Sequence, residues 1–579
     1  MVYGGKPSRG CRTCRARRIK CDEGKPTCKR CEKSKRECGG YRPEFEIVHR
    51  DQTKSTLRRL HKGPDPQHQP SASARPIAFV QEEPGSWRRQ SSSPSPEPSL
   101  AIPLAHRASC YFASNFILVP LGTTPHGFME YLVPLMEAEP PGSALRFAFN
   151  ACAFALLGNR ARAEGMDLSQ LSLKEHTLAL AQTHKALSQP ALASTDSTLA
   201  AVLLLCLYEN ITAIKETRML AWRSHIDGAV HIIKTRGREE MCRTRMGTLL
   251  FTAVKHHLVS RVLSSGLSLP FGVDWWMSVG DTGSLFASCQ RFALGYSGLR
   301  TEVNGLLSNA ARSPEFIAQA RQLTERVRRM DGDIASWLAS IPAQLRFKTV
   351  CWVPESQTGI LEGNAYDQAD VYPGRVDVYP DFVTAMAWNV GRVSRLILAS
   401  LDIRLAAWIH APADYRTTPE YENARRICEH TISEIIASVP YHLGWRSRDQ
   451  TLGPSELSGF ACGEEGTPKA LPALFLIWSL TCVKNHDICT EDQRAWVKGR
   501  LKFIATEIGL KYAHIVNEKI NIRFPSMMIN RDGMMSSVDP LQAPKGSGYS
   551  LLPALVPRMP ESVASRTQSP SSQPSDPAG

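Results

Sequence analysis

Six cysteines stand within 28 residues near the start of this chain: Cys11, Cys14, Cys21, Cys28, Cys31 and Cys38. Their spacing is C-x2-C-x6-C, written twice, and the second triple is the first displaced by 17 residues. A segment this short has no hydrophobic core that could stand alone, so it needs a staple. Zinc prefers four thiolates in a tetrahedron. A Cys-x-x-Cys pair on a turn opening a helix presents two sulfurs to one metal, and a third arrives after one short helix. Three ligands per half leave each metal one short, so two zinc ions on six sulfurs require two bridging sulfurs. The 17-residue symmetry points to equivalent bridges, one from each half. An ordinary single-zinc site of Cys11, Cys14, Cys28 and Cys31 is the competing arrangement. It leaves unexplained why Cys21 and Cys38 share the same offset. A disulfide framework calls for a secreted chain, and the start, Met1 to Arg9, lacks the apolar core of a signal peptide.

Charge is concentrated in the same region. Residues 1–62 hold 19 Lys and Arg against 7 Asp and Glu, a balance of +12, whereas the remaining 517 residues balance at +2. A basic block of this density is either a solvated tail or a surface for phosphates. Two zincs with six thiolates carry a net charge of −2, which would repel DNA if left bare. Arg12, Arg15, Arg17, Arg18 and Lys20 surround the first half of the cluster; Lys29, Arg30, Lys33, Lys35 and Arg36 surround the second. Phosphate contacts supply most of the affinity, and one or two side chains at base edges supply specificity.

The runs Cys-Arg-Thr-Cys-Arg-Ala-Arg-Arg-Ile-Lys-Cys-Asp (11–22) and Lys-Pro-Thr-Cys-Lys-Arg-Cys (25–31) resemble the fungal binuclear zinc cluster family of transcription regulators. The resemblance implies that Cys11 and Cys28 bridge two zinc ions. One zinc then takes Cys14 and Cys21, the other Cys31 and Cys38. It implies that Lys20, at the end of the first short helix, faces the major groove beside a CGG-type triplet, and that Pro26 shapes the loop joining the halves. Arg12, Arg15, Arg17, Arg18, Lys29 and Arg30 complete the DNA-binding set. The implied protein is a sequence-specific, nuclear regulator of RNA polymerase II genes, pathway-specific and of the kind that governs a metabolic gene cluster.

Beyond the cluster, residues 39–62 remain basic and carry no heptad repeat, so a coiled coil directly after the cluster is not expected. From Gly63 to Pro103, 17 of 41 residues are Pro or Ser, and from Pro540 to Gly579, 16 of 40. Such segments bury too little apolar surface to order themselves. Between them, residues 105–535 read as helical. Ser194-Thr195-Asp196 offers N-cap oxygens before the apolar run Leu199 to Tyr208. Met219, Trp222, Ile226, Ala229 and Ile233 recur at helical spacing, with Gly237 as a stop. Phe316, Ala320, Leu323, Val327, Met330, Ile334, Trp337 and Ile341 form a stripe ending at Pro342, either a core helix of the bundle or a dimerising coiled coil. Further stripes run through Val383–Leu405, Tyr421–Ile436 and Trp496–Val516, and no alternating strand series is evident. One helical domain is expected, or two subdomains joined near 343–380. Residues 196–205, Leu207-Tyr208-Glu209, His225-Ile-Asp-Gly-Ala and Arg236-Gly237 resemble the helical regulatory domain that accompanies such zinc clusters in fungi, a match that fades after about residue 280.

No phosphate-binding glycine loop, Gly-x-Ser-x-Gly elbow or His-Glu-x-x-His occurs, so no catalytic or further cofactor-binding residue is assigned and the chain is not expected to be an enzyme. His176, His184, His256 and His257 read as packed or surface histidines, the ten cysteines after Cys38 as mostly buried thiols, and Trp275-Trp276 as core. The longest apolar stretch, Ala470 to Val483, falls short of the roughly 20 residues of a membrane span.

The expected fold is mainly α. A basic N-terminal arm (1–10) precedes a binuclear zinc cluster of two short helices around two zinc ions (11–38). A basic extension and disordered Pro/Ser-rich linker (39–104), a large all-α regulatory domain (105–535) and a disordered tail (536–579) follow. The expected partners are double-stranded DNA and transcription co-regulators, with no membrane, the chain binding DNA as a monomer or weak homodimer.

Overall fold

The computed structural model describes residues 11–17, 19–24, 27–40, 102–120, 127–161, 167–213, 217–265, 269–279, 284–309, 312–355, 365–444, 468–521 and 523–531. The arm over 1–10, nearly all of the linker over 39–104 and nearly all of the tail over 536–579 lie outside them. Two short helices, α1 (Arg12–Ala16) and α2 (Lys29–Lys33), form the cysteine-rich module.

The rest is helical. In chain order come α3 (Leu104–Phe116), α4 (Leu132–Ala138), α5 (Ala144–Ala161), α6 (Ser169–Leu187), α7 (Pro190–Ala193), α8 (Asp196–Thr212), α9 (Thr217–Arg236) and α10 (Arg238–Met241). Next are α11 (Arg245–Ser265), α12 (Gly272–Met277), α13 (Leu285–Asn309) and α14 (Pro314–Ser340). After a strand pair the chain resumes with α15 (Phe382–His410), α16 (Pro419–His442), α17 (Ala470–Lys484), α18 (Glu491–Thr506), α19 (Tyr512–Glu518) and α20 (Ser526–Arg531). One contiguous core runs from Ala108 to Ile529.

Local chemistry sets these boundaries. Thr195 caps α8, its hydroxyl accepting the N–H of Thr198 at 3.3 Å. That helix is buried on every face from Thr198 to Ile211 and packs against α5, α6 and α9. Gly237, at φ +85°, ends α9 in a conformation that disfavours any side chain. Ser313 caps α14, and Pro314 occupies its first turn, where a missing N–H does no harm. Of the α14 stripe, Ala320, Leu323, Val327, Ile334 and Ile341 are buried, and Phe316, Met330 and Trp337 pack beside them. The stripe lies on α15 inside the chain's own core and forms no free seam.

Two expectations change. Strands β1 (Lys348–Val353) and β2 (Gly374–Val378) pair antiparallel, where no strand was expected. A bulge between Thr349 and Cys351 breaks the alternation that would have marked β1. Polar contacts fasten the pair: Thr349 and Arg375 both bind the buried Asp377, and Arg375 reaches Glu434 of α16 at 3.4 Å. The wholly buried Arg392 of α15 donates to Tyr379 Oη at 2.6 Å and to Glu434 at 3.3 Å. The Trp496–Val516 stripe is two helices, because Gly509 at φ +87° turns the chain between α18 and α19.

The apolar run from Ala470 becomes the buried helix α17, and among the described residues no helix is long and apolar enough to cross a membrane.

Candidate metal centre and nucleic-acid interface

Cys28 stands at the N-cap of α2 with extended backbone, and its sulfur accepts the N–H of Cys31 at 3.3 Å. Cys11 repeats this before α1, accepting the N–H of Cys14 at 3.3 Å. The duplicated spacing is thus a duplicated local structure, a sulfur capping a one-turn helix in each half.

The halves meet sulfur to sulfur. Cys11 lies 3.7 Å from Cys28 and 3.7 Å from Cys31; Cys14 lies 3.6 Å from Cys28. Two groups have all their sulfurs within 4.8 Å of one another: Cys11, Cys14, Cys21 and Cys28, and Cys11, Cys28, Cys31 and Cys38. Cys11 and Cys28 belong to both. A zinc tetrahedron with Zn–S bonds of about 2.3 Å has sulfur edges of about 3.8 Å, so the observed separations fit the metal. The six cysteines are positioned for two zinc ions.

Protonation chemistry favours a metal here. Burial raises the thiols of Cys14 and Cys31, Cys31 to about 12. Against burial, the N–H groups of Cys11 and Glu23 bring Cys21 down to about 7. Crowded sulfurs of this kind cannot all be thiolates unless cations replace their protons, and zinc does so.

Two side chains that the sequence reading left without a role tie the module together. Asp22 accepts the N–H of Lys29 at 3.0 Å and of Arg30 at 3.2 Å, closing the first half onto α2. These bonds, that from Lys29 foremost, hold its carboxyl below the usual range. In the second half, Thr13 donates to Glu37 O at 3.0 Å and accepts the N–H of Gly39 at 3.0 Å. Gly39 is Asp22 displaced by 17 residues. The only sequence signal for either residue was its place in the duplicated frame.

Of the expected DNA-binding residues, Arg12, Arg17, Lys20, Lys29 and Arg30 are exposed around the sulfurs. Arg17 reaches Ser34 at 3.5 Å, beside α2. The side chain of Arg15 and all of Arg18 and Pro26 lie outside the described residues. Lys20 is not at the helix end: α1 stops at Ala16, and Lys20 follows in irregular chain just before Cys21.

The histidines form no metal site among the described residues. His176 stacks on Tyr208 at 4.0 Å, and burial lowers His256 to about 3 and His257 to about 4. Trp276 is fully buried, and Trp275 packs between Phe271 and Arg238.

Residues 9–46 match the fungal Zn(2)-Cys(6) binuclear cluster domain, and residues 110–344 match the fungal specific transcription factor domain. The transcription factor dbaG of Emericella nidulans is 24% identical over 414 residues, which cover 69% of this chain and 88% of that protein. White-opaque regulator 2 of Candida albicans is 50% identical over 54 residues, only 12% of its length. The aspercryptin biosynthesis cluster-specific transcription regulator atnN of Emericella nidulans is 54% identical over 39 residues, 6% of its length. No solved structure matches the chain at a significant level.

Proposed function

The chain belongs to the fungal Zn(2)-Cys(6) transcription factors, DNA-binding regulators of transcription, and we propose that it reads CGG-type triplets in the nucleus through residues 11–38. In this reading Cys11 and Cys28 bridge the metals. Cys14 and Cys21 complete the first zinc, Cys31 and Cys38 the second. The single observation that carries it is the pair of four-sulfur groups sharing Cys11 and Cys28, ringed by exposed cations.

Lys20 supplies the base contact, with Arg12, Arg15, Arg17, Arg18, Lys29 and Arg30 on phosphates. The near-neutral remainder of the chain has little net attraction for DNA, so residues 105–535 act as a regulatory body, tethered through 39–104. Burial of the α14 stripe within that body supports a monomer on DNA. The relative named for aspercryptin biosynthesis supports a pathway-specific role, the control of one metabolic gene cluster.

The test is selection of bound sequences from a random duplex library by the full chain, repeated across salt concentrations. Enrichment of CGG triplets with a steep salt slope is the expected result. Binding without sequence preference, or an enriched motif lacking CGG, overturns it. Transcript changes on deletion, confined to one cluster of neighbouring genes, test the pathway-specific role.

A further inference from the structure

A cavity of about 790 Å³ lies where α13, the middle of α15, α17 and the segment around α20 converge. Its size suits a small organic molecule. Leu396, Ile397, Leu401, Phe524, Pro525 and Met528 give it an apolar wall. Arg300 and Arg404 also line it, and no aspartate or glutamate does.

The other polar groups leave that positive character in place. His486 accepts the Ile488 N–H on Nδ1 at 3.2 Å, which puts its proton on Nε2, facing Ser400 Oγ at 3.1 Å. Burial lowers His486 to about 4, so the ring is neutral and already engaged. Arg404 is 2% exposed and donates to Asn304 Oδ1 at 2.7 Å, a neutral amide that fixes the guanidinium without cancelling its charge. The indole N–H of Trp478 is buried with no acceptor among the described residues. The cavity therefore offers donors and positive charge at an otherwise greasy surface. A guanidinium beside apolar walls attracts a carboxylate more strongly than it would in water.

We propose that this cavity is a binding site for an apolar carboxylic acid, its carboxylate held by Arg300 and Arg404 and its hydrocarbon body against α15 and α20. The site is separate from the zinc module and stands whether or not the DNA reading holds. Its walls come from segments far apart in sequence, so an occupant fastens the C-terminal helices onto α13.

The full chain, zinc-loaded, is titrated by calorimetry and thermal melting with 2-naphthoate and decanoate, and with 2-naphthamide and decanol as uncharged counterparts. At least one carboxylate should bind saturably and raise the melting temperature, about tenfold or more tighter than its counterpart. Arg300→Gln should remove that preference, and Leu401→Trp should block binding by filling the space. Both variants are first shown folded by circular dichroism. Arg404→Gln is not relied on, since that residue is buried. Absence of saturable binding by both carboxylates, equal affinity for acid and counterpart, or an unchanged preference in folded Arg300→Gln overturns the proposal.

Discussion

The carboxylate of Asp22 accepts the backbone N–H of Lys29 at 3.0 Å, linking the loop after the third cysteine to the first turn of α2. That turn carries Cys28 and Cys31, so the bond orients sulfurs without touching metal. Asp22→Ala should keep two zinc ions per chain but weaken their retention about tenfold against a chelator, in the range for lost outer-shell support. Competition with a chromophoric chelator measures it. Retention equal to the wild-type chain would show that the sulfurs need no such tether.

Metal content separates a shared cluster from a single tetrahedron. The full chain should hold two zinc ions, and Cys21→Ala and Cys38→Ala should each lower that number. Cys11→Ser should lose both, since Cys11 lies in both sulfur groups. Elemental analysis of the purified variants reads the result. One zinc per chain, untouched by Cys21→Ala and Cys38→Ala, would falsify the bridged arrangement.

Base and phosphate contacts should respond differently to substitution. Lys20→Ala should cost about 1–3 kcal/mol of discrimination between CGG and scrambled triplets. Arg12→Ala and Arg17→Ala should weaken all sequences together and flatten the salt slope by about one contact each. Should Arg18→Ala relax the preference while Lys20→Ala does not, the base contact belongs two residues earlier.

Two helix-interior glycines should behave oppositely. A Cβ at Gly499 would meet the carbonyl oxygen of Asp367 at 1.8 Å, so Gly499→Ala must push α18 away from the 366–368 turn. A loss of about 3 kcal/mol is expected, at the upper end for overpacking. At Gly298, in α13, a Cβ meets nothing within 4 Å, and alanine there should gain up to about 1 kcal/mol from helix propensity. Urea melts of both variants check the pair.

The ammonium of Lys484 donates to the carbonyls of Val516, Asn517 and Ile520 at 2.7, 2.9 and 2.6 Å, capping the end of α19 from inside the core. Lys484→Met keeps the stem but leaves those buried acceptors short of a donor. A loss of about 2–4 kcal/mol is expected. Hydrogen exchange should show it first in residues 512–520.

Much of this was legible in the chain because it rests on local rules. Metal geometry dictates the cysteine spacing, and Ser313-Pro314 with the following stripe marks α14 through capping and periodicity. The strand pair was not legible: the bulge after Thr349 scrambles the alternation, and Asp377, Arg375, Glu434 and Arg392 bind it by charge, which no hydropathy pattern records. Lys20 was placed at a helix end because periodicity cannot resolve a five-residue helix that stops at Ala16. The Trp496–Val516 stripe was read straight across Gly509, whose positive φ reverses the chain. The arginine-lined cavity gathers Arg300, Arg404 and Phe524 from distant segments, a convergence that spacing along the sequence does not encode.

Because Cys11 and Cys28 sit in both sulfur groups, neither metal position is complete without atoms that also define the other. A chain carrying one zinc keeps half a fold and two strained sulfurs, so that species stays scarce. Occupancy then rises with the square of the free zinc concentration, not in proportion to it. Around the midpoint, a threefold fall in free zinc lowers the ratio of loaded to empty chains about ninefold. Zinc scarcity would thus silence this regulator abruptly, at a threshold, while single-zinc proteins of similar affinity faded gradually.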